Sequence, residues 1–394
     1  VMKLLAGAIC ILTALLSPPT LSKLEGASPA IQLRIEDGDD SLRIRNDQWH
    51  LRLLKIQEAH RLSQGEGVTI AVPDSGVYPH VDLKSNLLEG FNLMPGDSRS
   101  GQDDESGHGT AMAGLIAAHG QANGSGALGV APKAKILPIK SFTSENEGDT
   151  DRLAEAIERA VAAGVDVISV SAGGGANSRL LRALDSARAA DIVVVAAAGN
   201  RPEDAHVVWP AAGVGVIAVG GIDRHSNHAR LSVTGPQIDL SAPAVEIYST
   251  SYGDNYLKGS GTSSAAAIVA GAAALVRAKY PYLPADEVAH RLTATAIDKG
   301  PPGRDDQYGY GVIDLVAALT ADVPPRGFES VPATSPDVAG PTTAAADGPP
   351  AGDGGAATMR GLVTLGLLVA GGVAWALVVR HRRRSDDPPP RVSR

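Results

Sequence analysis

The sequence predicts an α/β fold: a doubly wound, mostly parallel sheet with helices on both faces, followed by one C-terminal transmembrane helix. Three observations predict it. Between residues 47 and 320, short runs that are apolar at every position alternate with helical stretches, the pattern of parallel strands covered on both sides. That segment holds 274 residues, enough for one large domain. Farther on, the 19 residues 361–379 carry no charge and run directly into Arg380-His381-Arg382-Arg383-Arg384.

The strands are expected at 67–72, 134–139, 165–170, 192–197 and 214–219, each rich in Val, Ile, Leu or Ala. Between the second and third, 151–163 has helical periodicity, with Leu153, Ile157 and Val161 on one face.

The chain ends read differently. Lys3 precedes an uncharged apolar run, Leu4 to Leu16, and then Ser17-Pro18-Pro19, the pattern of a secretory signal ending near residue 30. The sole cysteine, Cys10, lies inside that run. A mature chain without it has no disulfide, no thiolate nucleophile and no Cys-ligated zinc. Residues 31–46 carry Glu36, Asp37, Asp39 and Asp40. They form an extension too short for a folded domain, solvated or draped over the surface. Residues 321–357 hold seven prolines among Gly, Ala, Thr and Asp without an apolar period, and read as a linker spanning roughly 33 Å as flexible coil. The span, 358–380, reaches roughly 29 Å over its uncharged part at about 1.5 Å per residue, close to the bilayer core. The arginines after it assign 381–394 to the cytoplasm and the main domain to the outer face. With a net charge of −8, nucleic acid is not an expected partner.

Within the main domain three short motifs follow one another. The first strand leads into Val72-Pro73-Asp74-Ser75-Gly76. Gly107-His108-Gly109-Thr110 opens a small-residue helix, and Gly259-Ser260-Gly261-Thr262-Ser263-Ser264 opens another. Before the third, an apolar strand ends in Ala198-Gly199-Asn200. Taken singly, an Asp at a strand end or a Gly-Asn pair is a cap or a turn. Together they give Asp, His and Ser in one of the three chain orders in which unrelated folds build the serine-protease triad. A hydroxyl is a poor nucleophile until a neighbouring imidazole takes its proton. A carboxylate then fixes the imidazole's tautomer, and a helix N-terminus favours the negative charge that develops.

From about residue 47 to 320 the chain resembles the subtilisin-like serine proteases. The resemblance implies Asp74, His108 and Ser263 as catalytic residues, Asn200 as an oxyanion donor, and protein or peptide substrates. It also implies that Ser171-Ala172-Gly173 and Ala197-Ala198-Gly199 wall the pocket for the residue before the cut, with Val208 at its floor. Within that family the chain is similar to the mycosins, membrane-anchored proteases of type VII secretion systems, and the shared anchored architecture implies a secretion-complex partner. Asp47-Gln48-Trp49-His50-Leu51 and Gly309-Tyr310-Gly311-Val312-Ile313-Asp314 resemble theirs as well. Three departures stand out: Pro73 before the aspartate, Ser264 and Ala267 in the third motif's helix, and no cysteines for the disulfides mycosins commonly carry. Ser264 and Ala267 imply a roomier first turn. Asp103-Asp104-Glu105 has oxygens suited to calcium but reads as a solvated acidic loop, so neither metal nor cofactor is expected. Beside an active tethered endopeptidase, two readings stay open: a structural subunit of a secretion complex with dispensable proteolysis, and a housekeeping surface protease.

Overall fold

The computed structural model describes residues 33–34, 40–96, 100–122, 124–143 and 149–326. Strand β1 (Leu33–Arg34) is followed by helices α1 (Asp40–Asp47), α2 (Trp49–Leu53) and α3 (Ile56–Leu62). Then come β2 (Thr69–Asp74), β3 (Phe91–Asn92), α4 (His108–Ala117), β4 (Lys135–Lys140), α5 (Thr150–Ala163), β5 (Val167–Val170), α6 (Ser178–Ala189), β6 (Val193–Ala197) and β7 (Val216–Ile222). The run closes with β8 (Leu240–Pro243), β9 (Ile247–Thr250), β10 (Tyr256–Gly259), α7 (Thr262–Lys279), α8 (Ala285–Ala294) and α9 (Leu315–Thr320).

Seven strands form one parallel sheet in the order β3-β4-β2-β5-β6-β7-β8. Alternate residues of each strand feed opposite faces. Ile70, Val72, Val193, Val195, Ile217 and Val219 join the core that holds α4 and α7. Ala71, Val194, Ala196, Val216 and Ala218 join the one that holds α5 and α6. The expected doubly wound sheet is therefore observed. Helix α7 is buried through most of its length, which its Ala and Gly content permits. A Cβ added at Gly271 would lie 2.7 Å from Val130 Cβ, a distance at which the helix has to move away.

Strands β2, β5 and β7 each start two residues later than the apolar pattern suggests, and for β2 and β7 the reason lies in the backbone. Gly67 (φ +81°) and Gly215 (φ +79°) are left-handed, so β2 and β7 start only beyond them, and Val214 is left 89% exposed. At its other end β2 runs through Pro73, which pairs with Ile139.

Part of the N-terminal extension is anchored to the domain. Leu33 and Arg34 pair with Lys258 and Leu257, Ile44 of α1 is buried, and Arg45 donates to the carbonyls of Ser125 and Gly126 at 3.1 and 3.0 Å. The first residues of the stretch read as a linker lie along α8: Arg291 Nη1 donates to Ala321 O at 2.9 Å. Among the described residues no helix is long and apolar enough to cross a membrane. The expected signal sequence, span and basic tail, and the linker beyond Arg326, lie outside those residues.

Candidate active site

The winding reverses at β2: the chain first adds β3 and β4 on one side, then β5 to β8 on the other. In such sheets the crevice beyond the strands' carboxyl ends at this reversal is where sites form. Asp74 ends β2 there, Ser171 follows β5, and Asn200 lies just past β6. His108 and Ser263 come to the same edge on the first turns of α4 and α7.

Asp74 is fully buried, and His108 Nδ1 donates to its Oδ1 at 2.8 Å. The same oxygen accepts from Ser75 N at 2.8 Å, while Oδ2 is buried without a partner among the described residues. Pro73 does not draw Asp74 away from the imidazole. Close approach of the two elements depends on Gly109, where a Cβ would meet Gly76 O at 2.0 Å and Asp74 Oδ1 at 3.0 Å.

Ser263 Oγ donates to Ser171 O at 3.1 Å, which holds the first turn of α7 against the end of β5. Asn200 Oδ1 accepts from Thr262 N at 2.9 Å. Because that N–H requires an acceptor, the Asn200 amide must turn its Nδ2 donor away from Thr262. The Asn200 loop is fixed in turn by Asp204, whose Oδ2 accepts from Asn200 N at 2.8 Å. Ser264 and Ala267 are buried in the helix beneath.

Ala172 and Gly173 line a hollow with Ser141, Phe142, Leu153 and Trp209. Ala197 and Ala198 are buried, and Val208 N donates to Ala198 O at 3.0 Å. Gly199 is left-handed (φ +111°), and a Cβ there would lie 2.8 Å from Asp204 Oδ2. A Cβ at Gly173 would lie 2.4 Å from Val208 Cγ2. The valine side chain therefore lies against the first predicted wall, while its backbone is bonded to the second. A larger hollow of about 510 Å³ opens at the amino ends of β6 and β7 against α8, and it holds none of the predicted site residues.

One expectation is corrected. Asp103-Asp104-Glu105 is not a solvated acidic loop, because Asp104 is buried. Its Oδ1 accepts from Ser75 Oγ (2.9 Å), Ser106 N (3.0 Å) and Gly107 N (2.9 Å), and its Oδ2 from Thr110 N (3.0 Å) and Thr110 Oγ1 (2.6 Å). Burial pushes its carboxyl above the ordinary carboxylate range, against the pull of the Thr110 and Gly107 donors, and the nearby Asp74 charge pushes the same way. Asp103 bonds the buried Lys140. With both Asp104 oxygens turned toward N–H and O–H donors, the stretch does not fit a calcium ion, which takes six to eight oxygens. The signal for this role was the spacing, an Asp three residues before Gly107, since Asp readily accepts from N–H groups just ahead of it in a turn.

A buried carboxylate bonded to an imidazole at the carboxyl edge of a doubly wound sheet fits an α/β serine endopeptidase, the class that the comparisons with known proteins show. The chain belongs to the subtilase family, whose model matches residues 65–311. It is 40% identical to subtilisin DY of Bacillus licheniformis over 260 residues, 65% of this chain and 92% of that one. Among solved structures it is similar to the MycP3 protease from the type VII (ESX-3) secretion system. That match has a TM-score of 0.65 and 30% identity, covering 78% of this chain and 100% of the other. It is likewise similar to MycP1 from Mycobacterium smegmatis, with a TM-score of 0.65 and 26% identity, covering 76% and 90%.

Proposed function

We propose that this chain is a membrane-tethered, extracytoplasmic serine endopeptidase in which Asp74, His108 and Ser263 form the triad, working beside a type VII secretion assembly. The observation that carries the triad is the 2.8 Å contact between His108 Nδ1 and Asp74 Oδ1. It commits Nδ1 as donor and leaves Nε2 as the base. As the substrate carbonyl is attacked, Nε2 takes the Ser263 proton. Asp74 stays ionised and stabilises the imidazolium; its unpartnered Oδ2 keeps charge available for that. Asn200 Nδ2 and the Ser263 N–H donate to the oxyanion. His108 then protonates the leaving amine, and water deacylates the serine by the same route in reverse.

The Val208 side chain lies against Gly173 at the position read as the pocket floor, so small residues are favoured before the cut. Anchoring rests on the uncharged run 361–379 and the arginines after it. The secretion role rests on likeness to the MycP proteases. A tether of roughly 33 Å holds the active site near emerging substrates and raises their effective concentration.

The experiment compares a full deletion with Ser263→Ala at matched protein levels, measuring exported type VII substrates, with a topology reporter fused after Arg394. A secretion or processing defect and a reporter active only in the cytoplasm are expected. Unaltered export in both strains rejects the secretion role, and an external reporter signal rejects the topology. Export lost in the deletion but kept in Ser263→Ala assigns the secretion role to the domain itself rather than to its chemistry.

A further inference from the structure

Behind Asp74 and His108 lies a polar cluster that the triad chemistry does not use. Asp104 gathers the backbone N–H groups of Ser106, Gly107 and Thr110, which flank His108 on both sides. It also accepts the hydroxyl hydrogen of Ser75 at 2.9 Å. That hydroxyl has a second acceptor available, Asp74 Oδ1, at the longer distance of 3.3 Å. As an acceptor, Ser75 Oγ receives Gly109 N at 3.0 Å and Ser106 Oγ at 2.8 Å. Every donor but the hydroxyls is a backbone N–H that cannot rotate away, so the arrangement requires an acceptor with no hydrogen of its own.

We propose that Asp104 is a positioning residue for the reaction, acting through Ser75 and the 104–110 turn on the Asp74–His108 pair. It does so in two ways. It fixes the backbone on both sides of His108, and so the direction of the imidazole. It also draws the Ser75 hydrogen away from Asp74 Oδ1, leaving that oxygen free to accept from His108. A carboxylate relieved of one hydrogen bond holds an adjoining imidazolium more strongly. The shortest contact in the cluster, Thr110 Oγ1 to Asp104 Oδ2 at 2.6 Å, lies in the range of hydroxyl–carboxylate bonds and agrees with an ionised Asp104.

This inference rests on the triad reading. The test uses the full chain and its Asp104→Asn variant, quantified by fluorophosphonate titration of the active site and assayed on a peptide p-nitroanilide ending in alanine. In Asp104→Asn an amide NH₂ faces donors and the Ser75 hydrogen turns to Asp74. We expect kcat to fall roughly 10- to 100-fold, the loss of one to two charge-assisted hydrogen bonds, with KM within about twofold. The acid midpoint of the kcat/KM profile moves to lower pH, because the imidazolium is less well held. A purely structural role lowers the titratable fraction but leaves kcat per titrated site and the midpoint in place, and that result overturns the proposal. If Asp104→Asn does not fold, Ser75→Ala decides: Asp74 Oδ1 stays free, but Gly109 N beside His108 loses its acceptor and its link to Asp104, so kcat per titrated site falls with KM unchanged, and an unaltered kcat overturns the proposal. A wild-type chain that takes no label overturns the triad reading and this inference with it. A labelled wild type with unaltered variants overturns this inference alone.

Discussion

Thr262 N donates to Asn200 Oδ1 at 2.9 Å, so the residue beside the predicted nucleophile and the predicted oxyanion donor form one hydrogen-bonded unit. One end of the Asn200 amide caps the start of α7. The other end, Nδ2, has no hydrogen-bond partner among the described residues, as the proposed oxyanion role requires.

The two ends are separable by mutation. Asn200→Asp keeps an acceptor for Thr262 but loses the donor; Asn200→Leu loses both. Both variants are expected to lower kcat by roughly 10²–10³, the usual loss for one oxyanion donor. Asn200→Leu alone is expected to lose about 1 kcal/mol of stability as well, from the orphaned Thr262 N–H. Steady-state kinetics and thermal melts of the two variants check this.

On the proposed reading Val208 limits the depth of the pocket. Val208→Gly removes the side chain that lies against Gly173, so cleavage after Phe or Tyr is expected to rise relative to cleavage after Ala by 10-fold or more, roughly 1–3 kcal/mol of relieved exclusion. A peptide library profiled on both proteins reads the ratio. A wild-type preference for aromatic residues contradicts the assignment of Val208.

His50 gives stability a pH dependence. It is fully buried with neither ring nitrogen hydrogen-bonded among the described residues, and burial, with Arg52 adding to it, lowers its pKa to about 3 from 6.5. Below pH 6.5 the unfolded chain binds a proton that the folded chain refuses, so stability falls as pH drops from 6.5 toward about 3. Burial shifts His60, His80 and His228 downward too, and they contribute the same sign. Melting temperatures at pH 7 and pH 5, where most carboxylates remain ionised, are expected to differ less in His50→Leu than in the wild type.

Five strands of the parallel sheet were legible because residues such as Val193 to Ala197 are apolar on both faces, a pattern that suits a covered parallel strand; the short β3 and β8 and the strand order were not. The pairing of Asp74 with His108 was legible because their motifs couple a reactive side chain to glycines that permit close approach, as Gly109 does against Gly76 and Asp74. The burial of Asp104 was not legible, although its spacing ahead of Gly107 was a signal for the turn. Its neighbours Asp103 and Glu105 make the stretch look solvated, and its burial follows from α4 and β2 closing around it, a tertiary event. Asp82 escaped notice for the same reason: it is buried, and Tyr256 Oη donates to it at 2.7 Å across 174 residues of chain. Strand starts were displaced where a left-handed glycine, Gly67 or Gly215, intervened in an otherwise apolar run.

The most direct test of the account is covalent labelling of the wild-type chain with a fluorophosphonate, followed by peptide mapping of the adduct. The adduct is expected on Ser263, absent in Ser263→Ala and His108→Ala and largely kept in Ser264→Ala. Labelling that persists in Ser263→Ala, or an adduct mapped to another serine, contradicts it.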